Sequence, residues 1–172
     1  MGWIDTPLTN EGKQNAKSSA AKLKDIHFDH IISSDLGRAF MTAYIIARQL
    51  GYSSEVEALS GLREMSYGDL ANQPYSTYPE LSPVENTNHV LPNGESLAQM
   101  QKRILDCINA IDLKYKGKTV LIVAHDGTIN AIKASFNQNE IGLEDATHNA
   151  HDFVGRFEWD EGRIKSFDEL VK

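Results

Sequence analysis

An arginine stands where a short apolar strand pattern gives way to a helical one. Residues 33–38 follow Ile31 and Ile32, and Arg38 falls in the first turn of the expected helix. A helix N-terminus offers free N–H groups and a partial positive charge, and a guanidinium adds a planar fork suited to phosphate oxygens. The junction therefore indicates an anion site. The alternative is that Asp35 caps the helix and Arg38 pairs with it at the surface.

A histidine occupies a second junction of this kind. His125 comes after the apolar run 119–123, and Gly127 and Thr128 turn the chain into the next helical pattern. In open α/β sheets ligands bind where strands end, and an imidazole titrates near neutral pH. His125 is therefore a candidate active-site group. The alternative is a packed histidine that bonds to a backbone carbonyl.

A carboxylate is the third candidate. Glu64 follows a strand-like segment and precedes Gly68. Near a cationic pocket it could act as a general acid, and the alternative is a solvated glutamate. His148 and His151 have one-turn spacing but no third ligand at a diagnostic spacing, so no metal site is expected.

Helix and strand patterns alternate along the chain and position these groups. Apolar periodicity and turn residues predict helices over 11–24, 35–50, 95–116 and 128–136, strands over 28–33, 56–62 and 119–123, and a hairpin over 153–159 and 163–167. The apolar run 119–123 is typical of a strand buried on both faces. We therefore predict an α/β three-layer sandwich, with a mostly parallel sheet and helices on both faces.

Composition narrows the class of protein. The 172 residues hold 24 acidic against 17 basic side chains, a net charge of −7, which argues against nucleic-acid and anionic-membrane binding. The single cysteine, Cys107, excludes an internal disulfide, and no apolar run approaches the ~20 residues of a membrane span. We expect one cytoplasmic domain over 1–172, with a lid-like excursion at about 69–94. The oligomeric state is not predicted.

Several segments resemble, in order, motifs of the histidine phosphatase superfamily, the phosphoglycerate mutase-like group. They are residues 2–9 with Gly12, 33–39, 62–64 with Gly68, 93–96, 123–129, and Asn149 with 157–159. The resemblance spans nearly the whole chain. It implies the phosphoglycerate mutase-like fold and a phosphomonoester hydrolase that works through a phosphohistidine, with no metal and no cofactor.

The resemblance also implies roles for the candidate residues. Arg38 would bind the phosphate, His125 would stabilise the transferring group, and Glu64 would protonate the leaving oxygen. The substrate would be lined by Gly2, Asp126 and Gly127. The ligand would be a small phosphorylated metabolite or phosphate itself.

One departure from the family changes the expected activity. The family's first strand ends in Arg-His-Gly, which supplies the attacking histidine, and this tripeptide occurs nowhere in the sequence. We therefore expect the first strand to be missing and the chain as given to turn over phosphomonoesters poorly or not at all. A truncated or mis-started phosphomonoesterase is the preferred interpretation. The alternatives are a pseudoenzyme that binds phosphorylated ligands or a protein partner, an enzyme in which His125 attacks, and phosphoglycerate mutase-like phosphoryl transfer.

Overall fold

A parallel sheet lies at the centre of the fold. The computed structural model describes residues 2–73, 87–137, 149–160 and 162–170. In the sheet, β1 (His30–Ser34) lies between β2 (Glu57–Leu59) and β3 (Val120–Val123), and both neighbours run parallel to it. The carboxyl ends of all three strands therefore meet at one edge of the sheet.

Helices cover both faces of this sheet, as predicted. They are α1 (Asn10–Lys22), α2 (Gly37–Gln49), α3 (Leu97–Lys114) and α4 (Asp126–Phe136). Ile31 packs against Ala43 and Ala47 of α2, whereas Ile32 packs against Ile111 of α3. Because successive strand side chains point to opposite faces, this pair requires cover on both sides of the sheet. The fold is the expected α/β sandwich.

The C-terminal hairpin forms a second sheet. The antiparallel strands β4 (Gly155–Asp160) and β5 (Arg163–Glu169) are joined by a turn in which Gly162 has φ +78°. Their inward side chains, Phe157 and Trp159 among them, pack on a core shared by α3 and α4. The predicted hairpin is confirmed, with each strand shifted by about two residues at one end.

Two strand predictions need correction. The segment predicted as a strand over 56–62 has only three strand residues, and residues Ser60–Leu62 form a 3-10 turn that leads into Glu64. The four residues of β3 are half-buried rather than fully buried. The reason is that, within the described ranges, β3 pairs with β1 alone and so lies at an edge.

The two ends of the excursion are fixed to each other. The Asp69 N–H donates to the Pro92 carbonyl at 2.9 Å, and the Glu95 N–H donates to the Ser66 carbonyl at 3.0 Å. Gly68 has φ +50°, and a Cβ there would lie 2.0 Å from the Pro92 oxygen, so only glycine fits this crossing. Residues 74–86 lie outside the described residues, and the lid-like role of 69–94 stays a prediction. In the described ranges, no helix is both long and apolar enough to cross a membrane.

Candidate active site

Arg38 points toward the N-terminal segment of the chain rather than toward Asp35. Its Nη1 donates to the Ile4 carbonyl at 3.0 Å and its Nη2 to the Gly2 carbonyl at 2.8 Å. Asp35 instead accepts two hydrogen bonds from Arg63, at 2.7 and 2.6 Å. The alternative of a surface pair between Arg38 and Asp35 is therefore wrong, since a partner 28 residues away takes that carboxylate.

The cap of α2 also comes from a distance. The N-cap residue, Leu36, makes no side-chain cap hydrogen bond, and the Gly37 N–H donates to Asp5 Oδ1 at 2.7 Å. A Cβ on Gly37 would lie 2.9 Å from that same oxygen, so the glycine allows the carboxylate to approach. Asp5 and not Asp35 therefore satisfies the helix N-terminus, and it holds the N-terminal segment beside Arg38.

The Glu64 side chain is half-buried, so it is not the solvated glutamate of the alternative interpretation. Its Oε1 accepts from the Met65 N–H at 2.8 Å, and its Oε2 accepts from the Gly127 N–H at 3.2 Å. A Cβ on Gly127 would lie only 2.1 Å from Glu64 Oε1, so the carboxylate requires glycine at that position. Burial lowers the pKa of Arg38, and the nearby Glu64 carboxylate opposes this shift.

His125 is the N-cap residue of α4 and is 8% exposed. Its Nε2 lies 2.9 Å from Ser34 Oγ at the end of β1, so a hydroxyl and not a backbone carbonyl is the partner there. Burial, and after it the charges of Arg38 and Arg103, lower the pKa of His125 to about 3. The expectation of titration near neutral pH is therefore wrong, because two cations and a dry environment disfavour the imidazolium. At neutral pH this ring is an uncharged hydrogen-bonding group.

Acidification is expected to destabilise the fold through His125. Between pH 6.5 and 3 the unfolded chain binds a proton at this position that the folded chain excludes, so stability falls as the pH falls. The full effect is on the order of 4 kcal/mol. The measurement is urea unfolding from pH 7 to pH 4, in which His125→Gln should flatten the pH slope. Replacing the exposed His151 with Asn is the control. An equal slope in the wild type and His125→Gln would contradict the prediction.

Arg103 organises the loop that carries Glu64, and the sequence reading did not identify it. Its guanidinium donates to both carboxylate oxygens of Glu95, at 2.7 and 3.1 Å. It also donates to the carbonyls of Gly61, Arg63 and Glu64, at 2.9, 3.1 and 3.3 Å. The only sequence signal is that Glu95 stands just before the N-cap residue Ser96 and Arg103 follows eight residues later, inside α3.

The remaining predicted site residues lie around this cluster. Gly2 faces Arg38 through its carbonyl, and a Cβ there would lie 2.7 Å from the Met65 oxygen. Asp126 Oδ1 accepts from the backbone N–H of Asn149 at 3.1 Å. Their roles in lining a substrate stay predictions. Within the described ranges no three His, Cys, Asp or Glu side chains could hold a metal, and His148 lies outside them.

The sandwich has the fold of phosphoglycerate mutase-like proteins. It is similar to the solved structure of Bacillus stearothermophilus YhfR, with a TM-score of 0.84 and 26% identity over 95% of this chain and 84% of that one. It is also similar to a phosphoglycerate mutase from Bacillus anthracis, with a TM-score of 0.66 and 27% identity over 83% and 74% of the two chains. The sequence profile of the histidine phosphatase superfamily (branch 1) matches residues 1–168. The chain belongs to this superfamily.

Curated relatives carry both phosphatase and mutase names. Phosphoglycerate mutase-like protein 4 of Arabidopsis thaliana is 33% identical over 141 residues, which are 77% of this chain and 61% of that protein. An uncharacterized phosphatase, PhoE, of Bacillus subtilis is 28% identical over 144 residues, 84% of this chain and 72% of that one. The chain thus spans 61% of the length of the Arabidopsis relative.

Proposed function

We propose that this chain carries the phosphate-binding half of a phosphomonoesterase site, which hydrolyses its substrate when an attacking histidine is also present. One observation carries the proposal. The guanidinium of Arg38, the carboxylate of Glu64 and the ring of His125 converge at the carboxyl edge of the parallel sheet. Ligands bind at this edge in open α/β sheets. A structural relative, a mycobacterial glucosyl-3-phosphoglycerate phosphatase, has been solved in complex with inorganic phosphate.

Each group has a chemical task in this proposal. Arg38 and the neutral His125 donate hydrogen bonds to the phosphoryl oxygens and stabilise their charge as it redistributes. The attacking nitrogen bonds to phosphorus as the bond to the leaving oxygen breaks, and that oxygen takes a proton from Glu64. Water then attacks the phosphohistidine and returns a proton to the Glu64 carboxylate. Phosphate is released and the attacking histidine is restored.

In this proposal the attacking histidine comes from a segment that carries Arg-His-Gly, a tripeptide that does not occur in the sequence. Such a segment could pair as a strand with the edge of β3 that faces away from β1. Within the described ranges β3 pairs only on its β1 side, and its four apolar residues are half-buried. An added strand along this edge would end next to His125, which follows β3 in the chain.

The experiment compares the chain as given with the same chain extended by a family-like strand that ends in Arg-His-Gly. We expect little hydrolysis of p-nitrophenyl phosphate by the first and clear turnover by the second. In the extended protein Glu64→Gln should lower turnover about 100-fold, whereas the exposed control Glu158→Gln should not. Robust hydrolysis by the chain as given, abolished by His125→Ala, would overturn the proposal. Phosphate binding without any turnover in the extended protein would indicate a pseudoenzyme.

A further inference from the structure

A cavity of about 270 Å³ opens beside the Arg38, Glu64 and His125 cluster. Its walls are Trp3, Ile4, Ser66, Tyr67, Gly68 and Ala71. Two of these walls connect directly to the cluster. The Trp3 indole N–H donates to the Glu64 carbonyl at 2.6 Å, and the Ile4 carbonyl accepts from Arg38 at 3.0 Å. The segment that contacts Arg38 therefore also forms one wall of this cavity.

The chemistry of the walls is aromatic and uncharged. None of the six lining residues bears a charge. Two guanidinium groups lie near the Trp3 ring, with Arg63 at 4.8 Å and Arg103 at 5.8 Å from its centroid. Each is already paired with a carboxylate, Arg63 with Asp35 and Arg103 with Glu95. A second anionic group on a substrate would therefore meet no uncompensated cation among the described walls.

We propose that this cavity receives the leaving alcohol and selects phosphomonoesters whose alcohol is a single uncharged aromatic or apolar group. The inference rests on the proposed function, because it assumes that Arg38 holds the phosphate. An enclosed cavity of about 150 Å³ accommodates a benzene ring. At about 270 Å³ this open pocket is large enough for a single ring. Trp3 is the specificity-determining residue, since its ring forms a wall that its hydrogen bond to Glu64 keeps in place.

Three phosphonates that cannot be hydrolysed separate the cavity from the phosphate site. Methylphosphonate tests the phosphate site alone, benzylphosphonate adds an aromatic ring, and 2-carboxyethylphosphonate adds a carboxylate. In titration calorimetry of the chain as given, we expect benzylphosphonate to bind roughly tenfold more tightly than methylphosphonate. We expect 2-carboxyethylphosphonate to bind no more tightly than methylphosphonate.

A larger side chain at Ala71, one of the lining residues, fills the cavity and provides a sharper test. Ala71→Leu should abolish the advantage of benzylphosphonate and leave methylphosphonate binding unchanged. The matched control is Ala21→Leu on the exposed surface of α1. Trp3→Ala should have the same effect as Ala71→Leu, and Trp3→Phe should retain most of the advantage, so the test survives if one variant fails to fold.

The outcomes distinguish this inference from the proposed function. Equal affinities for methyl- and benzylphosphonate, or a benzyl advantage that Ala71→Leu and Trp3→Ala both leave intact, overturn the inference alone. Tighter binding of 2-carboxyethylphosphonate than of benzylphosphonate does the same. No binding of methylphosphonate at millimolar concentration overturns the proposed function and this inference together.

Discussion

Replacing Arg38 with alanine is expected to lower the affinity for methylphosphonate at least ~30-fold, to below detection by calorimetry. The Arg38 guanidinium donates to two carbonyls of the N-terminal segment and lies near the Glu64 carboxylate. A phosphonate on this fork gains charge-assisted hydrogen bonds in a partly buried place, where they are strong. Alanine removes the charge and the donors together.

Two further variants separate this effect from general damage. Arg48→Ala removes an exposed arginine from the last turn of the same helix and should leave binding unchanged. Arg38→Lys keeps the charge but loses the planar fork, so an intermediate affinity is expected. Alanine at position 38 also frees the Gly2 and Ile4 carbonyls, and urea unfolding of each variant shows whether the fold survives. Unaltered methylphosphonate binding by a folded Arg38→Ala protein would refute the assignment.

Replacing Arg103 with alanine is expected to lower the free energy of unfolding by about 2–3 kcal/mol, because its pair with Glu95 is only partly buried. The Glu95 side chain is only 13% exposed, and without Arg103 it loses the cation with which it pairs. The carbonyls of Gly61, Arg63 and Glu64 lose a donor at the same time. Urea denaturation at pH 7 measures the loss directly.

The neighbouring position supplies the control for Arg103. Lys102 pairs with Asp106 on the surface, where their side chains are 76% and 65% exposed. Lys102→Ala should therefore cost less than about 1 kcal/mol. Combining Arg103→Met with Glu95→Gln should recover part of the loss, because no uncompensated charge remains. If Arg103→Ala and Lys102→Ala were equally stable, the explanation from the partly buried Arg103–Glu95 pair would be wrong.

Local sequence patterns were sufficient for the elements and for two of the candidate site residues. The helices and strands formed where apolar spacing and turn residues predicted them, with ends shifted by a few residues. Arg38 and His125 are candidates from the sequence because each follows a strand pattern and opens a helix. Glu64 was uncertain from the sequence, since a single glutamate in a loop has no signal that separates a buried carboxylate from a solvated one.

Distant contacts decided the rest of the site. The cap of α2 comes from Asp5, 32 residues before Gly37. The Glu64 carbonyl accepts from Trp3, 61 residues earlier, and from Arg103, 39 residues later. Such pairings depend on how the elements pack, and no local pattern encodes them.

The sequence by itself therefore determined the α/β class, the family resemblance and the positions of the groups suited to phosphoryl chemistry. Only the tertiary structure decided that the pKa of His125 is lowered to about 3, that β3 is an edge strand within the described ranges, and that an uncharged pocket borders Trp3. The physical reason is that the burial of a side chain, the charges beside it and the walls of a pocket come from residues far apart in the chain.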